Sequence, residues 1–243
     1  MERRGDKDIQ IDPAISLKGL RFSIEGRRIL DGIDLDLLKG RSYLVLGRNG
    51  SGKTTLLKIM AGLLWPYDGD VYLFGERVRE PWDLRSRTGY VFQNPLMQIV
   101  GSTVEEDLAF GLENMGVPSD EMEERIEKML EFVELKPYRF SDPLILSGGQ
   151  IQRLAIASVL ILEPDVVLLD EPLGMLDAGG RKEVMDLVEK MKDSGKTVVM
   201  ATHDLERIDV FDFVIYMESG TARTEKLPEF FSDPPEDIPK VWE

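Results

Sequence analysis

Residues 43–64 read "YLVLGRNGSGKTTLLKIMAGLL". Four β-favouring residues, Tyr43 to Leu46, run straight into a glycine-rich turn, and that turn runs into a helix-period segment that stops at Gly62. Strand, loop and helix in this order are the setting in which a glycine loop closes on phosphate. The loop spans Gly47, Arg48, Asn49, Gly50, Ser51, Gly52, Lys53, Thr54 and Thr55. Its glycines let backbone N–H groups gather around β- and γ-phosphate oxygens, and the helix N-terminus adds positive potential. Lys53 supplies a point charge to the terminal phosphates, and Thr54 offers a hydroxyl to Mg²⁺. A bland glycine turn would have no reason to place a lysine and two threonines at this spacing.

Outward from this stretch, short apolar runs recur at "GYVF" (89–92), "VVLLD" (166–170), "TVVMAT" (197–202) and "FVIYM" (213–217). Runs without polar alternation suit strands buried on both faces of a parallel sheet. Helix-period segments separate them. In "RKEVMDLVEKMKDSG", Val184, Leu187, Val188 and Met191 share one face and Gly195 stops the helix. The pattern turns helical beyond residue 94: "TVEEDLAFGLENMG" opens on a capping box of Thr103 with Glu106, and Met122, Ile126, Met129 and Val133 form a stripe. Upstream, "ISLKGLRFSIEGRRILDGIDLDL" alternates at strand period around a turn near Gly26. The expected architecture is α/β: a P-loop parallel sheet core, an N-terminal antiparallel β layer and an inserted helical lobe. One domain covers 1–243, with core segments 1–93 and 155–231, lobe 94–154 and an irregular Pro-rich tail 232–243.

Composition narrows the function. The net charge of −15 argues against nucleic acid and against direct lipid binding, both of which call for clustered Lys and Arg. The chain has no cysteine, which rules out disulfides and thiol chemistry and agrees with a reducing cytoplasm. No run reaches a membrane-span length, and "MERRGDKDIQ" lacks a signal-peptide core. The expectation is a soluble cytoplasmic chain whose membrane connection runs through protein.

The strand "VVLLDE" ends in Asp170 and Glu171, at the sheet edge where open α/β folds bind ligands. Asp170 would orient the Mg²⁺ water shell, and Glu171 would polarise a water for in-line attack on the γ-phosphate. His203, the chain's one histidine, directly follows "TVVMAT" and so reaches the same edge, where it would hydrogen-bond the γ-phosphate or hold the water. Gln93 ends a strand just before the lobe, with an amide placed to touch Mg²⁺ or water and signal occupancy. A second glycine feature, Ser147, Gly148, Gly149 and Gln150, caps the helix "QIQRLAIASVLIL" and forms another anion site. One γ-phosphate enveloped by the first loop has no room for a second helix N-terminus from the same chain. The expected resolution is a head-to-tail dimer, each chain presenting Ser-Gly-Gly to nucleotide held by the other.

Together these residues resemble the nucleotide-binding subunits of ATP-binding cassette (ABC) transporters over roughly residues 14–231. The matching pieces are the Walker A loop (Gly47 to Thr55), Q-loop (Gln93), signature (Leu146 to Gln150), Walker B with its glutamate (Val166 to Glu171), D-loop (Met175 to Asp177) and switch His203. The resemblance implies two ATP molecules with Mg²⁺ sandwiched between two subunits, closure on binding and opening on hydrolysis. Motion would pass to a membrane partner through the groove beside the Q-loop. Within that family, "VFQNPLMQIVGSTVEEDLAFG" resembles the energy-coupling-factor group, which drives uptake of vitamins or of cobalt and nickel ions. That likeness implies a second ATPase subunit, an integral membrane coupling protein and a substrate-capturing membrane protein, with this chain on the cytoplasmic face of the cell membrane.

Three positions depart from the family pattern. Ile24 stands where an aromatic residue usually stacks on adenine, a loss of about 0.5–1.5 kcal/mol of ring-specific stacking. Ile145 replaces a common acidic residue, and "EPLGML" replaces a small, hydroxyl-containing run. No catalytic position is lost, and the departures favour a specialised chain in a heterodimer. Two rivals stand beside the transport ATPase. A soluble mechanical ATPase of the DNA-repair or translation type would carry a long coiled-coil insertion or a second cassette, and the compact lobe between Gln93 and Ser147 leaves no room for the former. A non-hydrolytic regulatory subunit would lack Glu171 or His203.

Overall fold

The computed structural model describes residues 13–66 and 68–238. The alternating segment folds into two long strands, β1 (Pro13–Ile24) and β2 (Arg27–Leu38), paired antiparallel. Glu25 and Gly26 join them, both at positive φ, the geometry a two-residue hairpin of right-twisted strands requires. The chain continues through β3 (Ser42–Leu46), α1 (Lys53–Met60), β4 (Asp68–Leu73), the short β5 (Glu76–Arg77), α2 (Pro81–Arg85) and β6 (Thr88–Val91). Strands β4 and β5 extend the hairpin into a four-stranded antiparallel layer of order β2-β1-β4-β5.

Two helices follow, α3 (Val104–Asn114) and α4 (Ser119–Phe132), and then α5 (Gly148–Leu160), which runs across position 154 where the sequence reading divides lobe from core. On α4 and its C-cap residue Val133 the expected stripe faces inward, Ile126 and Val133 fully and Met122 and Met129 partly buried. The start of α3 differs from the reading. Thr103 Oγ1 accepts from Glu106 N–H at 3.2 Å, but the Glu106 carboxylate accepts from Ser102 N–H rather than from Thr103. The cause is Asp107, which draws the N–H groups of Val100 and Gly101 onto one carboxylate oxygen and curls the approach to the helix.

The remainder is β7 (Val166–Asp170), α6 (Ala178–Asp193), β8 (Thr197–Ala201), β9 (Phe213–Glu218), β10 (Thr221–Lys226) and α7 (Leu227–Ser232). These strands join β3 and β6 in a six-stranded sheet of order β10-β9-β3-β8-β7-β6, parallel except for β10. All five residues of β3, β7 and β8 are buried, as their unbroken apolar sequences require. Period-two alternation splits their side chains between two cores. Leu44, Val167, Leu169 and Met200 pack with α3 to α6, whereas Tyr43, Val45, Leu168 and Val199 pack with α1 and the antiparallel layer. After α7, residues 233–238 contain no helix or strand. The rest of the expected tail, 239–243, and the N-terminal residues 1–12 lie outside the described residues.

Candidate functional site

The site begins where β3 ends. Gly47 sits at φ 144°, and a Cβ there would lie 2.2 Å from the Met217 carbonyl oxygen on β9. The loop therefore leaves the sheet along a path open only to glycine. Gly52 precedes α1 at φ 108°, and a side chain there would meet Leu30 Cδ2 at 2.7 Å. No side chain caps the first turn of α1, so its backbone donors have no side-chain partner. Lys53 is buried and donates from Nζ to the Gly47 carbonyl at 2.7 Å, with His203 Nε2 3.4 Å away. Burial pushes its pKa below the usual lysine range, against the opposing pull of Glu171 and Asp170.

The acidic edge is built by two neighbouring strands. At the end of β7, Asp170 is buried; Oδ1 accepts from the Thr54 hydroxyl at 3.0 Å and Oδ2 from the Tyr90 hydroxyl at 2.7 Å. Burial and the adjacent carboxylate push the Tyr90 pKa up, so the phenol keeps the proton it donates. Glu171 follows at φ 50°, a left-handed conformation that costs a non-glycine residue about 1 kcal/mol or more. Its backbone N–H is tied to the Ala201 carbonyl at 2.9 Å, and Asp170 is in register with Ala201. That pairing brings residues 171 and 203 together: Glu171 Oε1 lies 3.2 Å from His203 Nε2, and Oε2 accepts from His203 N–H at 3.3 Å.

Asn49, Gly50, Gly52, Lys53, Thr54, Thr55, Gln93, Glu171 and His203 line a single cavity of about 900 Å³. Gly47 and Ser51 are buried outside that lining, and the Ser51 hydroxyl has no partner among the described residues. Arg48 opens on an adjoining hollow shared with Asn49, His203 and Asp237. Ser147, Gly148, Gly149 and Gln150 do not line the cavity. Ser147 Oγ accepts from Gln150 N–H at 3.3 Å and Gln150 Oε1 from Ser147 N–H at 2.9 Å, a reciprocal cap on α5. A Cβ on Gly149 would lie 3.2 Å from Gly180 Cα, so the signature turn packs on the start of α6. Beside it stand Leu144, Ile145 and Met175, 76%, 73% and 73% exposed.

Several cavity residues escape the sequence reading. Arg27 and Ile29 form its wall on the β2 side, while Ile24 is exposed and outside the lining. Arg181 also lines it, donating to the Leu176 carbonyl at 3.1 Å and to Asp204 at 2.8 Å, and so ties the D-loop to the histidine loop. The Arg181–Asp204 pair had a usable signal, an Asp directly after His203 and an Arg in the first turn after Asp177. Tyr90 had none.

A phosphate loop whose helix start is left uncapped, two strand-end carboxylates, a histidine from the next strand and a separate Ser-Gly-Gly cap define a nucleotide-binding ATPase of the cassette type. The family model described as "ABC transporter" matches residues 30–174, and the chain belongs to that family. It is 47% identical over 207 residues to the energy-coupling factor transporter ATP-binding protein EcfA1 of Thermotoga maritima, covering 85% of this chain and 79% of that protein. Its fold is similar to that of cbiO1 from Clostridium perfringens, part of the ABC transporter complex cbiONQ. The TM-score is 0.85 at 32% identity, over 91% of this chain and 92% of that one. A dimeric ATP-binding cassette in a post-hydrolysis state with ADP and Pi aligns with a TM-score of 0.76 at 29% identity, over 88% and 98% of the two chains. Among the described residues no helix is long and apolar enough to cross a membrane, and none of their His, Asp and Glu form a cluster of three fit to hold a metal.

Proposed function

We propose that this chain is the ATP-hydrolysing subunit of an energy-coupling-factor importer of vitamins or transition-metal ions. The observation that carries the reading is the convergence of Lys53, Glu171 and His203 on one cavity, with contacts of 3.2 and 3.4 Å to the histidine. In this reading Lys53 and the uncapped start of α1 bind the β- and γ-phosphates. The donors for a metal are oxygens of Thr54, Gln93 and, through water, Asp170, a hard and sparse set that suits Mg²⁺, which keeps most of its waters. When bound, Mg²⁺ neutralises charge on the phosphates. Glu171, held by the left-handed turn after β7, takes a proton from the attacking water as its oxygen bonds to the γ-phosphorus, and the bond between the γ-phosphorus and the β–γ bridging oxygen breaks to leave ADP and phosphate. His203 holds the γ-phosphate or that water.

Ser147, Gly148, Gly149 and Gln150 serve the nucleotide of a second ATPase subunit in a head-to-tail dimer, preferentially an unlike sister. Their position away from the chain's own cavity, amid exposed apolar side chains, supports this. Gln93 leads into exposed Leu96, Met97 and Val100, an apolar surface suited to a membrane coupling protein that carries a substrate-capturing membrane protein. The chain would then sit at the cytoplasmic face of the membrane without binding lipid or nucleic acid.

Glu171→Gln is expected to slow hydrolysis at the site this chain supplies by about 10²- to 10⁴-fold, the range for a lost general base, while ATP still binds. Turnover near the wild-type rate in a single-turnover assay would sink the assignment. Isolating the native complex from membranes through a tag on this chain should recover integral membrane proteins; their absence would count against transport.

A further inference from the structure

Tyr90 takes no part in the mechanism above, yet its hydroxyl bonds Asp170, which lies with it just outside the cavity lining. It stands on β6, the edge strand, and is buried. Its hydroxyl donates to Asp170 Oδ2 at 2.7 Å while Thr54 donates to Oδ1 at 3.0 Å. A carboxylate rotates about its last bond over a broad, two-fold well, so one hydrogen bond would leave its plane loosely set. Two hydroxyls on opposite oxygens fix it. The tyrosine ring is itself fixed edge-on against Phe92, with centroids 5.0 Å apart, and Phe92 directly precedes Gln93. Phe92 N–H is held by Gln98, whose amide donates to the Ala155 carbonyl on α5 at 2.8 Å.

We propose that Tyr90 is a positioning residue for the cation: its hydroxyl holds the Asp170 carboxylate so that Oδ1 stays turned to Thr54 and to the water shell beside it. The proposal rests on the metal reading of Thr54 and Asp170 given above. Outer partners that orient a metal-bearing group typically change metal affinity or activity by about 10- to 100-fold when removed. The phenol does this from a different strand, the one that ends at Gln93. Orientation of the carboxylate and placement of the glutamine are therefore coupled through one aromatic pair.

The test is Tyr90→Phe, which deletes one hydroxyl and keeps the ring on Phe92. ATP affinity of the full chain is measured by calorimetry in EDTA and across a MgCl₂ titration. In EDTA the variant should match wild type. The MgCl₂ concentration at the binding midpoint should rise about tenfold, the low end of that range. A thermal melt in EDTA checks that the fold persists; if Tyr90→Phe does not fold, Tyr90→His, which keeps a ring and an N–H donor, goes through the same titration with a smaller rise expected. An unchanged midpoint, or an equal loss of affinity with and without MgCl₂, overturns the proposal, the second because it reports packing alone. If wild type itself binds ATP independently of MgCl₂, the metal reading of the site fails and this inference falls with it. Failure of the variant to differ from a MgCl₂-dependent wild type sinks only the inference.

Discussion

Lys53 carries its charge where water is scarce. Its ammonium is buried against the Gly47 carbonyl, and burial outweighs the favourable field of Glu171 and Asp170 in setting its pKa below the lysine norm. The folded chain therefore holds this proton less tightly than the unfolded chain does. Stability consequently rises with pH across the window between the lowered value and the ordinary 10.5, and the cost of the buried charge is fully present below that window. Lys53→Met should raise the stability of the nucleotide-free protein by roughly 1 kcal/mol, about 2–4 °C in Tm for a chain of this size, while abolishing ATP binding. A melt and a binding isotherm on the same variant check both halves, and a lower Tm would show that the lysine stabilises the fold. Such residues were legible because the phosphate loop is local: its spacing alone placed Lys53 and Thr54. Tyr90 was not, since in "GYVF" it reads as an ordinary β-former and acquires a role only when β6 pairs with β7.

The two glycine-marked helix starts differ in how their first turns are satisfied. On α1 no side chain caps the N-terminus, while on α5 Ser147 and Gln150 cap one another. A cap and an anion contact make different demands on position 147, so they can be separated. Ser147→Ala should cost about 1 kcal/mol of stability, the usual loss of an N-cap. Ser147→Asp keeps the cap and adds favourable charge at the helix start, so its melting temperature should stay near wild type. It should nonetheless block ATP-driven association, measured by light scattering in the Glu171→Gln background with the partner ATPase chain present. Association of Ser147→Asp at wild-type strength would reduce the serine to a helix cap. Element types followed the sequence where burial was two-sided, as in β3, β7 and β8. They were illegible in β10, whose "TARTEK" pairs only with β9 and buries little, and in β4, which opens on the turn-like "DGD".

Across the whole molecule, strand order brings residues distant in sequence to one edge, and helices α5 and α6 carry the signature turn away from it. On the proposed reading the chain holds half of each of two sites. A partner must then overcome any charge repulsion from a chain of net charge −15, which surface ion pairs do poorly. Apolar contact and shared nucleotide are the available sources of attraction. Met175 is 73% exposed and stands with Leu144 and Ile145 beside the Ser-Gly-Gly turn; its own carbonyl lies 3.9 Å from where a Gly148 Cβ would be. Large exposed apolar residues grouped at a polar functional turn mark an interaction surface. Because Met175 packs on little within the monomer, Met175→Glu should change stability by less than about 0.5 kcal/mol. It should also leave ATP binding to the single chain intact, since the residue does not line the cavity. The expected loss is in ATP-dependent pairing: sedimentation of the Glu171→Gln chain with ATP and its partner should show a dimer that the added Met175→Glu dissolves. A dimer of unaltered strength would mean that the sandwich closes through some other face.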